Sequence, residues 1–138
     1  MIVMPSVERL RKIFAETGNI AVVGLSPKEN RPSNQVARYL LEAGYRIIPV
    51  NPGQEKILGL KCYPNLLAIE GPVDVVDIFR RADQVEPIVR DAVSIGARVI
   101  WMQQGIVNEQ AAVLAENAGL TVIMDRCIKV DHMQFSGI

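Results

Sequence analysis

Four short stretches of this chain combine residue types suited to holding a phosphorylated ligand. The first runs Gly24-Leu-Ser26, then Lys28, then Arg31-Pro32-Ser33-Asn34. Gly24 lets backbone approach a ligand closely. Ser26 and Ser33 offer hydroxyls, and Lys28 and Arg31 offer charge; arginine grips phosphate as a fork, lysine as a point charge. A helix opening near Asn34 adds free N–H groups that favour an anion. The second stretch is Val50-Asn51-Pro52, the third Phe79-Arg80-Arg81 and the fourth Gln103-Gln104-Gly105-Ile106. Arg80 suits a phosphate, Phe79 either a stacked base or the core, and Gln103 a polar group, with Gly105 again allowing close backbone approach. Arg81 reads as solvent-facing. The competing reading of each stretch is an ordinary solvated loop.

Residues for catalysis are sparse. The one histidine, His132, stands beside Asp131 in the C-terminal segment, a spacing that reads as a surface pair. Cys62 and Cys127 lie far apart, with no Cys-x-x-Cys and no zinc-type spacing, so no disulfide framework and no metal site is expected. Cys127 reads as an inert buried thiol, although Arg126 and Lys129 would activate it if aimed at its sulfur. Asp74, Asp77 and Trp101 sit in apolar strands and read as structural. No paired carboxylates and no Ser–His–Asp set emerge.

The pattern is also not that of a dinucleotide site. Counting from Gly24, Ser26 and Glu29 occupy the second and third glycine positions of Gly-x-Gly-x-x-Gly. The second strand ends in Asn51 where an NAD domain carries an acid for the ribose. An NAD(P)-binding redox module is therefore the alternative, weakened more for NAD than for NADP.

The elements that must position these loops alternate. Ser6 is set to cap a helix with Val7, Leu10, Ile13 and Phe14 on one face and Gly18 at its end. Strands are expected at Ile20–Leu25, Arg46–Val50, Val73–Phe79, Arg98–Met102 and Leu120–Met124. Pro49 should make the second short or imperfectly paired. Helices are expected at about Asn34–Ala43, at Asp83–Ile95, and after a cap at Asn108. Gln54–Tyr63 has no clear period, Asn65–Ile69 reads as one or two helical turns, and Asp125–Ile138 as loop with one turn. The sum is one α/β domain over residues 1–138, a Rossmann-like, doubly wound, mainly parallel five-stranded sheet with helices on both faces. Ligands of such sheets bind beyond the carboxyl ends of the strands, where all four stretches lie.

Composition narrows the partner. The 138 residues are 49% hydrophobic and 22% charged, ordinary values for a globular chain. Fifteen basic residues balance fifteen acidic ones, so no global charge draws nucleic acid or an anionic membrane. There is no run of membrane-spanning length, and Met1-Ile-Val-Met-Pro-Ser6 lacks a basic leader. These features suit a small-molecule ligand in the cytoplasm.

Taken in order, Gly24-Leu-Ser-Pro-Lys28, Arg31-Pro-Ser33, Gly44-Tyr45, Pro49-Val-Asn-Pro52, Ile57-Leu-Gly59, Val73-Asp-Val-Val-Asp-Ile-Phe-Arg80 and Trp101-Met-Gln-Gln-Gly-Ile106 resemble the small stand-alone CoA-binding proteins. That group is similar to the CoA-binding domain of the succinyl-CoA synthetase alpha subunit and of ADP-forming acyl-CoA synthetases. The resemblance runs from about Asn19 to His132. It implies coenzyme A as the ligand. The Gly24–Ser26 turn and Arg31–Asn34 would meet its phosphates, with Lys28 and Arg80 adding charge. Val50, Asn51 and Pro52 would border the adenosine, Phe79 and Arg80 would line the cleft, and Gln103, Gly105 and Ile106 would follow the pantetheine arm. The synthetases' phosphohistidine motif and ATP-grasp parts are absent, and Arg126 replaces an Asn-type residue before Cys127. The expectation is non-catalytic binding of CoA or a short acyl-CoA, or the CoA-binding half of a split acyl-CoA ligase completed by an unknown partner chain. A further variant has Cys127 in a mixed disulfide with the CoA thiol.

Overall fold

The computed structural model describes residues 4–137. Met1–Val3, which belong to the opening read as lacking a leader, and Ile138, the end of the segment read as loop, lie outside them. The Ser6 side chain accepts the Arg9 N–H at 3.1 Å and so opens α1 (Val7–Glu16). Leu10, Ile13 and Phe14 are buried, but Val7 is exposed, and Thr17 rather than Gly18 ends the helix. The Gly18 N–H instead binds Asp74 at 2.9 Å.

The chain continues through β1 (Asn19–Val23), α2 (Pro32–Glu42), β2 (Arg46–Val50), β3 (Lys56–Ile57) and β4 (Leu60–Lys61). A 3-10 turn over Leu66–Ala68, capped by Asn65, leads to β5 (Val75–Ile78). A second 3-10 turn precedes α3 (Val85–Ser94); β6 (Val99–Met102), α4 (Glu109–Asn117), β7 (Thr121–Ile123) and α5 (Ile128–Phe135) follow. Five strands form one sheet of order β2-β1-β5-β6-β7, every pairing parallel. Side chains alternate along each strand: Ile20, Val22, Val75 and Trp101 enter the layer under α1, α2 and α5, while Ala21, Val23, Val76 and Ile100 enter the layer under α3 and α4. This is the doubly wound arrangement with helices on both faces.

Four expectations need correcting. Pro49 does not shorten β2, which pairs with β1 along its whole length; β2 sits beyond β1 at the side of the sheet, where a missing donor is tolerated. The segment without period contains a tight hairpin, β3–β4, whose turn residues Leu58 and Gly59 both have positive φ, 57° and 73°. Leucine rarely enters that region, so the turn has no sequence signature. α2 starts two residues early because Pro32 occupies its first turn, a position that does not need the missing N–H. The C-terminal segment holds an eight-residue helix, α5, rather than one turn.

β1 and β5 are neighbours, but the chain leaves them toward opposite faces, β1 into α2 and β5 into α3. The connections that follow them therefore part, and the crevice between those connections is the switch point of the sheet.

Candidate functional site

Gly24 turns the chain at that crevice with φ of +85°. A Cβ there would lie 2.5 Å from the carbonyl oxygen of Phe79 and 3.3 Å from Arg80 Nε. The glycine is thus demanded first by the chain, because β1 and β5 come together too closely for a side chain. The loop beyond it is braced by polar side chains. Ser33 Oγ accepts the Ser26 N–H at 2.9 Å, and Ser26 Oγ accepts the Lys28 N–H at 3.1 Å. Buried Asn34 donates from Nδ2 to the Ser26 carbonyl at 2.9 Å and accepts from Arg38 Nε at 2.9 Å. Asn51 donates to the Leu25 carbonyl at 3.0 Å and accepts the Gly53 N–H at 2.9 Å.

Three cavities with shared walls open here. A space of about 310 Å³ is lined by Gly24, Ser26, Lys28, Arg31, Pro32, Ser33 and Phe79. Pro32 and Phe79 also line a larger slot of about 670 Å³, with Val36, Arg80, Gln103, Gly105, Ile106 and Cys127 among its other walls. Arg80 in turn borders a third space of about 180 Å³ with Val50, Pro52 and Asp91. Thirteen of the fifteen residues singled out in the sequence meet at these walls. Asn34 and Asn51 do not; their amides are spent on the backbone of the loop and, for the Asn34 oxygen, on Arg38. Cys127, read as an inert buried thiol, is half-buried and faces the slot. Its position follows from α5, whose first turn it precedes without a capping bond.

The electrostatics are one-sided. Lys28, Arg31 and Arg80 make no ion pair among the described residues. No carboxylate lines the first cavity or the slot. Arg81, by contrast, lies 3.7 Å from Asp83 in an exposed pair, as its solvent-facing reading implies.

Groups that could do chemistry are engaged elsewhere. His132 is buried, not a surface residue: its Nδ1 lies 2.7 Å from the Tyr39 hydroxyl, and its ring meets Phe14, Tyr39 and Tyr45 edge-on. Burial lowers its pKa from the ordinary 6.5. Asp131 is buried too, gripped by Arg126 at 2.6 and 2.8 Å. That guanidinium is consequently turned to Asp131, not to the Cys127 sulfur. Trp101 is core, with its Nε1 donating to the Arg126 carbonyl at 2.8 Å. Asp74 is structural, accepting two backbone N–H groups. Asp77 is fully enclosed without a partner for either oxygen, and burial holds its carboxyl well above the usual range. Among the described residues no cluster could hold a metal ion, and no helix is long and apolar enough to cross a membrane.

Known proteins are similar to this chain in sequence and fold. The chain is 44% identical over 128 residues to the uncharacterized protein YneT of Bacillus subtilis, covering 93% of this chain and 95% of that one. A hypothetical protein from Pyrococcus horikoshii has the same fold at a TM-score of 0.93, with 40% identity over 96% of this chain and 94% of the other. ADP-forming acetate–CoA ligase II of Archaeoglobus fulgidus is 34% identical over 64% of the chain, which spans only 13% of the ligase. The CoA binding domain family matches residues 18–133, and the chain belongs to that family.

Proposed function

We propose that this chain binds coenzyme A or a short acyl-CoA at the carboxyl edge of its sheet and carries out no reaction by itself. The observation that carries this reading is the junction of two unlike cavities. One bears unpaired cations and no acid, and the other is a slot walled largely by uncharged groups that shares Pro32 and Phe79 with it. Coenzyme A has the same division, with a pyrophosphate and a 3′-phosphate at one end and an uncharged pantetheine arm at the other. In this reading the Gly24–Ser26 turn, the start of α2, Lys28 and Arg31 hold phosphate. Arg80 lies between the phosphates and the adenosine, which rests against Val50 and Pro52. Asn51 acts through the loop it braces. The arm follows Gln103, Gly105 and Ile106. The absence of chemistry is supported by His132, which is packed among aromatic rings and lines none of the three cavities.

The short span of the ligase match favours one second reading, in which a separate chain supplies the remaining parts of a ligase. Isothermal titration of ligand-stripped protein with CoA, NAD and NADP tests the main proposal. The expected result is micromolar or tighter binding of CoA and no heat from either dinucleotide. Dinucleotide binding without CoA overturns it in favour of the redox module. Formation of acetyl-CoA from acetate, CoA and ATP by the chain alone overturns the non-catalytic part.

A further inference from the structure

The slot contains a hydrogen-bond donor that the chain leaves unused. Gln103 follows β6 and is only 5% exposed. Its Oε1 accepts the Ile128 N–H at 3.1 Å, at the first residue of α5. That bond tells the two prongs of the amide apart: the acceptor faces α5, and Nε2 is the other prong. Nε2 meets no acceptor among the described residues. It is also not sealed off, because among those residues only the Asp77 oxygens are enclosed polar side-chain atoms without a partner. Gln103 lines the slot, so the slot is where its free N–H₂ is reached. A largely buried donor without an acceptor costs free energy that a ligand oxygen would recover. Beside it lie the apolar groups of Val36, Phe79 and Ile106 and the start of α5, whose N-cap residue Cys127 makes no capping bond.

We infer that this slot reads the thioester of an acyl-CoA, with Gln103 Nε2 donating to the thioester carbonyl and a short uncharged acyl chain packing on Val36, Phe79 and Ile106. The inference rests on the CoA-binding reading above and narrows its ligand from CoA in general to acyl-CoA. A free thiol is a poor acceptor, so unacylated CoA leaves the Gln103 donor unpaired. No bond is made or broken, and Gln103 determines specificity only.

Titration of the protein with CoA, acetyl-CoA and ethyl-CoA separates the contributions. Ethyl-CoA is a thioether that keeps the two carbons but lacks the carbonyl. Acetyl-CoA is expected to bind about three- to tenfold more tightly than ethyl-CoA, the value of one neutral hydrogen bond. In Gln103→Glu an oxygen still accepts from Ile128 while the free donor becomes an acceptor, so the preference for acetyl-CoA over ethyl-CoA should vanish. Equal affinities for the two in the unmodified protein overturn the inference and leave CoA binding intact. Equal weakening of all three ligands in Gln103→Glu also overturns it, assigning the amide to a pantetheine carbonyl instead. If neither CoA nor acetyl-CoA binds, both this inference and the reading beneath it fall. Should Gln103→Glu not fold, the comparison in the unmodified protein decides alone.

Discussion

The two ends of the sheet carry cavities of similar size, about 620 Å³ at the amino end and about 670 Å³ at the carboxyl end. Their charges differ. At the amino end Glu8 and Glu16 stand among Arg9, Lys12 and Arg98. Arg98 is already used, donating to the Glu16 carbonyl at 2.7 Å and lying 3.6 Å from Asp74. Asp74 in turn accepts the N–H groups of Gly18 and Asn19. Those polar groups tie α1 and the start of β6 to the amino end of β1. At the carboxyl end the polar side chains brace the loop, and the three cations remain without acids. Volume does not distinguish the two recesses of this molecule; uncompensated charge beside an apolar slot does.

The carboxyl edge is most sensitive at the crevice itself. Gly24→Val would place a side chain against the Phe79 carbonyl in a backbone conformation that valine avoids. It should lower stability by about 3 kcal/mol or more, read as a fall in thermal midpoint before any ligand is added. Normal stability with lost CoA binding would instead make the glycine a ligand requirement alone.

A paired substitution sharpens the contrast. Arg80→Ala should weaken CoA by roughly 10–100-fold, the loss of one charge-assisted hydrogen bond, with little change in stability. Arg98→Ala, at the other end, should leave CoA affinity unchanged and lower stability by no more than about 1 kcal/mol, since its pair is half exposed. Equal effects on affinity from both would erase the distinction between the edges.

An effect of opposite sign lies between the two ends, at Asp77. Its folded pKa is raised above the ordinary 3.8, so the folded state holds its proton where the unfolded chain releases it. Stability from this residue is therefore full below 3.8 and declines as pH rises toward the folded value. Asp77→Val should add about 1–2 kcal/mol near neutrality and flatten that part of the pH dependence. Chemical denaturation at several pH values measures both, and an unchanged slope would show that Asp77 has a partner.

Helix caps at Ser6 and Asn108 were legible in the sequence because each is a contact between a side chain and a backbone N–H three residues away. Strand positions were legible because burial on both faces leaves unbroken apolar runs, and the parallel order followed from crossovers of adequate length. Most of the loop residues that line the carboxyl edge were legible for the same reason: βα loops of such a sheet must emerge there. What each side chain does was decided by neighbours distant in the chain. Asn51 is spent on Leu25, Gly24 is forced by Phe79, and His132 is buried by Phe14, Tyr39 and Tyr45. The free prong of Gln103 exists because Ile128 takes the other. Local pattern and burial periodicity are short-range properties that the sequence by itself determines. Which polar atoms remain unpaired depends on contacts across strands and helices, and only the tertiary structure decides that.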